Sequence, residues 1–304
     1  MEKKEDILCY DHAAACLPAR LRSLAERLPG EQKARAEELR LRCGQPMAVL
    51  LPEGEVRPWR EHVAPADLEA LVNGVTEFSR YAAAESLRNG YLSARGGCRI
   101  GLCGTAVMKD GVSAGLRELS SAVVRVVREK KGIGEPLTPS LFRQGCFQST
   151  LLLAPPGGGK TTLLRDFVRC LSTGAGCPSQ RVSLIDERGE VAVMFRGQPQ
   201  MDVGPRTDIL DACPKAVGIP MVLRAMNPQV IAVDEITVRQ DILAMTAAAN
   251  CGVGLLATIH SGSVEELIHK PLYAELLAAK VFRKVIRIQC LNGERRYAVE
   301  DLPC

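Results

Sequence analysis

The stretch Ala154-Pro155-Pro156-Gly157-Gly158-Gly159-Lys160-Thr161-Thr162 decides the fold. Before it runs Thr150-Leu151-Leu152-Leu153, short and apolar like a buried strand; after it comes Leu163-Leu164-Arg165-Asp166-Phe167-Val168, spaced like a helix. Strand, glycine loop and helix in that order are the setting of a phosphate-binding loop. Glycines let successive backbone N–H groups turn inward around an anion, and the helix that follows aims its N-terminus at the same charge. The residues from Ala154 to Thr162 (Ala154, Pro155, Pro156, Gly157, Gly158, Gly159, Lys160, Thr161, Thr162) are therefore candidates for holding a nucleotide. Lys160 would reach the β- and γ-phosphates and the Thr161 hydroxyl would ligate Mg²⁺. The usual first glycine is replaced by Ala154. The competing reading is a glycine-rich turn with a surface lysine, and the two flanking patterns argue against it.

Outside this stretch, the bulk properties set bounds. A chain of 304 residues has room for about two domains, and 46% apolar residues is ordinary for a folded chain. The net charge of +4 is mild; with one Trp and few aromatics, it gives no sign of the stacking platforms that grip nucleic acid. No apolar run is long enough to span a membrane, and the first residues lack a signal-peptide core, so a cytoplasmic location is expected. The twelve cysteines form no C-x₂-C pair, which argues against a zinc site or a disulfide framework.

The spacing of Leu17, Leu21, Leu24 and Leu28 predicts a helix over about 12–28. Strands are expected at 38–42 and 47–51, a helix from Pro65 to Phe78, a hairpin turning at Gly96-Gly97, and a strand over 122–127. These make a small α+β domain over 1–130. A polar, glycine-containing stretch at 131–146 reads as a linker. Over 147–304, strands at 150–153, 182–185, 230–233, 254–258 and 281–289 alternate with helices, which is an open, mostly parallel α/β sheet. Ligands of such sheets sit at the carboxy ends of the strands.

Three of those strands end in residues suited to a phosphate site. Val230-Ile231-Ala232-Val233 runs into Asp234-Glu235. This is a Walker B pattern in which Asp234 supports Mg²⁺ and Glu235 orients or deprotonates the attacking water. Val182-Ser183-Leu184-Ile185 runs into Asp186-Glu187, a second carboxylate pair, with a loop ion pair to Arg188 as its plainer explanation. Gly254 to Thr258 leads to His260, and Thr258 and His260 share one side of the strand. Arg206, in the polar loop 201–208, is a candidate for reaching nucleotide or a neighbouring subunit. No N-K-x-D motif for guanine is present, which favours ATP.

The segment from Leu223 to Ile236, with Ala257-Thr258-Ile259-His260-Ser261, resembles the secretion ATPases, the hexameric motors of type II and type IV secretion and type IV pili. Glu38 to Pro46, the hairpin Gly90 to Gly104, Ile185 to Glu190 and Asp202 to Asp208 resemble, more narrowly, the stage III sporulation protein AA family. The resemblance implies a RecA-like P-loop ATPase domain preceded by the smaller α+β domain. It implies ATP and Mg²⁺, a homo-hexamer, and docking from the mother-cell cytoplasm on membrane proteins of a sporulation channel complex. In such rings the N-terminal domain supplies arginines to a neighbour; Arg95 and Arg99, flanking the hairpin turn, are the candidates, with Arg117 and Arg125 behind them. Glu235 is the leading base and Glu187 the second. A nucleic-acid-dependent ATPase and a nucleotide-gated scaffold with little turnover are the rival functions.

Overall fold

The structure, a computed structural model, describes residues 2–76, 87–88, 90–109, 111–291 and 294–302. The chain divides into two compact units, Met1–Arg128 with Met194–Gln200, and Glu129–Val193 with Met201–Cys304.

In the first unit, helices α1 (Glu2–Ala15), α2 (Ala19–Ala25) and α3 (Gly30–Arg35) precede a sheet. The single helix expected over 12–28 is two, because Pro18 stands between α1 and α2 and offers no N–H to continue the ladder. The leucine spacing still marks the core side: Leu17, Leu21, Leu24 and Leu28 are all buried. The strands are β1 (Glu38–Arg42), β2 (Ala48–Leu51), β3 (Gly54–Val56), β4 (Tyr91–Ser93), β5 (Arg99–Lys109) and β6 (Val112–Arg125), in the order β3-β2-β1-β6-β5-β4 with all pairs antiparallel. Alternation in β1 sends Leu39 and Leu41 into the core and leaves Arg40 on the other face, paired with Glu38. Helix α4 (Pro65–Thr76) covers the sheet; the last two residues of the helix expected to reach Phe78 lie outside the described residues. Gly96 and Gly97 turn the chain between β4 and β5 at φ of 77° and 75°, where a side chain would be strained.

The second unit begins with material read from the sequence as linker. Gly132 and Gly134 donate their N–H groups to the buried Asp166 carboxylate at 3.0 and 2.7 Å, which ties that stretch to the unit. A short pair, β7 (Phe142–Arg143) and β8 (Cys146–Phe147), leads to β9 (Thr150–Ala154). Then come α5 (Lys160–Thr173), β10 (Val182–Asp186) and β11 (Met194–Phe195) with β12 (Gln198–Pro199), a small hairpin that groups with the first unit. The remainder is β13 (Thr207–Asp211), α6 (Lys215–Ala225), β14 (Val230–Val233), α7 (Arg239–Asn250), β15 (Gly254–His260), α8 (Val264–Ile268), α9 (Pro271–Ala278), β16 (Lys284–Leu291) and β17 (Glu294–Asp301). The sheet order is β13-β10-β14-β15-β9-β16-β17; every pair is parallel except the last. β9 and β14 are buried along their whole length, as central strands with helices on both faces must be. The loop expected at 201–208 gives way to the edge strand β13, whose half-exposed Thr-Asp-Ile-Leu-Asp carries only a weak apolar signal. Among the described residues no helix is long and apolar enough to cross a membrane.

Candidate functional site

Strands β14, β15 and β9 lie side by side, with Val233 opposite Ala257 and His260 opposite Ala154. Their carboxy ends therefore deliver Asp234-Glu235, His260 and the glycine loop to one edge of the sheet. A cavity of about 340 Å³ opens there, lined by Gly157, Gly159, Lys160, Thr161, Thr162, Arg188, Glu190, Asp234, Glu235, His260 and Arg295.

The glycine loop depends on missing side chains. Gly157 and Gly159 have φ of 72° and 94°, in the left-handed region. A Cβ on Gly158 would lie 2.6 Å from the Ala154 methyl and 3.0 Å from the Pro155 carbonyl oxygen. Ala154 thus fits where a glycine is usual because its methyl occupies space that Gly158 leaves open. The loop feeds directly into α5, whose first residue is Lys160.

Lys160 is buried, and its Nζ donates to the carbonyl oxygens of Ala154 at 3.0 Å and Pro155 at 3.2 Å and to His260 Nδ1 at 2.6 Å. An ammonium has only protons to give, so Nδ1 is the acceptor and the imidazole proton sits on Nε2. Nε2 lies 3.0 Å from Glu235 Oε2. The same oxygen accepts from Arg188 Nη1 at 3.1 Å. Burial pulls the Lys160 pKa below its ordinary value, with the charges of Glu235 and Asp234 opposing. Asp234 is also buried, and burial pushes its carboxyl up while the Thr258 hydroxyl, donating to Oδ1 at 3.1 Å, works against that rise. The second Asp234 oxygen and the Thr161 hydroxyl are a small, hard, oxygen-only donor set in the same cavity. That set suits Mg²⁺, which takes most of its remaining ligands from phosphate and water.

Other residues singled out from the sequence are elsewhere. Asp186 is fully buried and its carboxylate is consumed by the following turn, accepting from the N–H groups of Glu190, Val191 and Ala192 at 2.9, 3.0 and 2.8 Å. It shapes the loop and does not line the cavity. Burial raises its pKa, against the pull of those three N–H groups. Glu187 is likewise absent from the lining, being paired with Lys215 at the start of α6. Arg206 immediately precedes β13, whose first residue pairs with Val182 at the amino end of β10. That is the opposite edge of the parallel sheet from the glycine loop, and Arg206 bonds there to Ser172. In the first unit, Arg95 is exposed in the turn and the Arg99 guanidinium lies 4.0 Å from the centre of the Tyr91 ring.

Arg295, Glu190 and Arg188 line the cavity without having been picked out from sequence. Arg295 Nε donates to the Gly158 carbonyl at 3.3 Å from β17, more than a hundred residues away along the chain. No local pattern announces it. Arg188 and Glu190 lie in the loop after β10, and the signal for them was that strand's position beside β14.

A family model described as sporulation stage III, protein AA matches residues 1–296. The stage III sporulation protein AA of Bacillus subtilis (strain 168) is 35% identical over 281 residues, which is 92% of this chain and 91% of that one. Among solved structures, that of the Legionella pneumophila ATPase DotB superposes with a TM-score of 0.59 at 14% identity, covering 91% of this chain and 79% of that one. The pilus retraction motor PilT with bound ADP gives 0.60 at 18% identity, covering 88% and 79%. At such identities the likeness is one of fold: a RecA-like P-loop ATPase domain preceded by a smaller domain.

Proposed function

The chain belongs to the sporulation stage III protein AA family, and from that membership and the site's geometry we propose that it is an ATP hydrolase acting as a secretion-type motor. The observation that carries the reading is the continuous contact from Lys160 through His260 to Glu235, beside the Asp234–Thr258 pair, at the mouth of a glycine loop. Those are the parts that phosphoryl transfer to water requires: a cation and N–H groups for the phosphates, a metal carboxylate, and a second carboxylate for the nucleophile.

The residues from Gly157 to Thr162 hold the phosphate chain, with Lys160 at the β- and γ-phosphates. Thr161 and Asp234 hold Mg²⁺, which when bound neutralises charge on the phosphates. Thr258 fixes the rotamer of Asp234 by its hydrogen bond. Glu235 takes the proton of the attacking water, and His260 keeps that carboxylate within reach of the P-loop. Positioning and charge stabilisation supply most of the rate. Arg95 and Arg99 serve the site of a neighbouring subunit in a homo-hexamer. The ring works in the mother-cell cytoplasm, docked on membrane proteins of a sporulation channel complex.

The test is steady-state ATP hydrolysis with Mg²⁺ against protein concentration, for wild type, Lys160→Ala and Glu235→Gln. Hydrolysis per subunit should rise with concentration, vanish in Lys160→Ala, and fall by about 10²–10⁴ in Glu235→Gln while nucleotide binding persists. Undiminished hydrolysis by Lys160→Ala refutes the site. Tight binding of ATP by wild type, without turnover at any concentration or with the membrane partners, would make the protein a nucleotide-gated scaffold.

A further inference from the structure

The Glu235 carboxylate, assigned above to the water, has one oxygen already claimed twice. Oε2 takes Arg188 Nη1 at 3.1 Å and faces His260 Nε2 at 3.0 Å. The His260 ring spans the gap to Lys160. The place where Lys160 would meet phosphate and the Arg188–Glu235 pair are therefore one imidazole apart.

Arg188 is mounted as a movable group on a fixed base. Behind it the Asp186 carboxylate clamps three backbone N–H groups, and next to it Glu187 is paired with the buried Lys215. Gly189, at φ 62°, completes the turn. The Arg188 side chain is about half exposed (54%), whereas that of Glu235 is mostly covered (16%). The guanidinium can therefore swing within the cavity while its backbone and its carboxylate partner stay put. Arg295, the other arginine lining the cavity, is bound to a main-chain oxygen of the P-loop itself.

We propose that Arg188 is a phosphate sensor within its own subunit, exchanging Glu235 for the terminal phosphate of ATP, so that one movement grips the γ-phosphate and frees the carboxylate for the water. The inference rests on the ATPase reading above. The exchange is favoured by charge: a terminal phosphate offers more negative charge than a carboxylate and matches the guanidinium fork with two oxygens. ADP has no γ-phosphate to offer, so Arg188 stays on Glu235 when ADP is bound.

The experiment is calorimetric titration of the full chain with Mg-ADP and with the Mg complex of the non-hydrolysable β,γ-imido analogue of ATP. Arg188→Ala should weaken the analogue by roughly 10- to 100-fold, the size of one lost charge-assisted hydrogen bond, and leave ADP nearly unchanged. Arg188→Lys, which keeps the charge without the fork, should recover part of the loss. Glu235→Gln loosens the hold on Arg188, so the analogue should bind more tightly than to wild type. That gain should disappear when Arg188→Ala is added, which separates release of the arginine from simple removal of a negative charge. Equal weakening of ADP and analogue by Arg188→Ala, no weakening of either, or a Glu235→Gln gain that survives without Arg188 would each overturn the proposal. In all three cases a wild type that binds and hydrolyses ATP leaves the ATPase reading intact. A wild type that binds neither nucleotide refutes both.

Discussion

Replacing Asp186 with Ala distinguishes a loop-building carboxylate from a nucleotide contact. The side chain accepts three backbone hydrogen bonds, from Glu190, Val191 and Ala192, at 2.8–3.0 Å. Val191 and Ala192 are fully buried, so water cannot replace the lost acceptor for them; Glu190 is partly exposed and can be resolvated. Two orphaned buried donors at about 1–3 kcal/mol each set the gross loss. Against it stands the relief of removing a buried charge, since burial raises the Asp186 pKa. The net loss expected is about 2–4 kcal/mol, or roughly 5–10 °C in the midpoint of a unit of this size. Thermal unfolding followed by circular dichroism, with and without Mg-ADP, measures it, because the transition that ADP shifts belongs to the nucleotide-binding unit. Asp186→Asn should lose less, as its amide oxygen keeps part of the acceptor role. If Asp186→Ala unfolds like wild type but no longer binds nucleotide, the carboxylate is a ligand contact and the loop-building reading fails.

Two further outcomes follow from local contacts, one in each unit. Gly158→Ala places a methyl 2.6 Å from the Ala154 Cβ, so nucleotide affinity should fall about tenfold or more, and adding Ala154→Gly should restore part of it; unchanged affinity in Gly158→Ala would show that the loop tolerates the clash. In the first unit, burial pushes the Asp67 carboxyl up, but the Arg20 ion pair and the Ala64 N–H outweigh it and leave the pKa below 3.8. The stability Asp67 contributes is therefore present above the ordinary carboxylate value and is lost as pH falls below it. Asp67→Asn should cost about 1–2 kcal/mol at pH 7, discounted for the half-exposed Arg20, and almost nothing at pH 2; urea unfolding that shows the same cost at both pH values would sink this.

The sequence carried most of the second unit, because a P-loop and four buried strands are local, strongly patterned signals. Lys160, Thr161, Asp234, Glu235 and His260, each at a strand end or at the helix start that follows one, meet at one cavity for that reason. Asp186 and Glu187 have the same signature yet do not line that cavity. Nothing in a strand-end Asp-Glu tells whether its carboxylates face the cavity or turn back to hold their own loop. Which occurs is decided by the three N–H groups of residues 190–192 and by Lys215, and these are tertiary facts. Arg206 lies away from the cavity because the stretch read as a loop runs into strand β13. Once Thr207 begins a strand parallel to β10, the residue before it belongs to the amino edge, away from any ligand at the carboxy edge. Arg295 reaches the P-loop across the sheet from an antiparallel strand, and no spacing rule connects it to Gly158.

The contacts of Lys160 bear on how such a site stays intact between turnovers. An ammonium this well buried needs partners, and burial already lowers its pKa. Two carbonyls at the exit of β9 and an imidazole at the end of β15 supply them without recruiting a carboxylate directly. Glu235 is held one step further out, by His260 and Arg188. A direct Lys160–Glu235 pair would bind more strongly, and an incoming phosphate would have to break it with both charges poorly solvated. The interposed neutral imidazole weakens that competition while keeping both groups in place. On the mechanism proposed here, phosphate displaces weak acceptors from Lys160, and the carboxylate is released when Arg188 leaves it while His260 keeps its place. The order of strands β14-β15-β9 is what makes this possible, because it puts the histidine strand between the strand of the lysine loop and the strand of the glutamate.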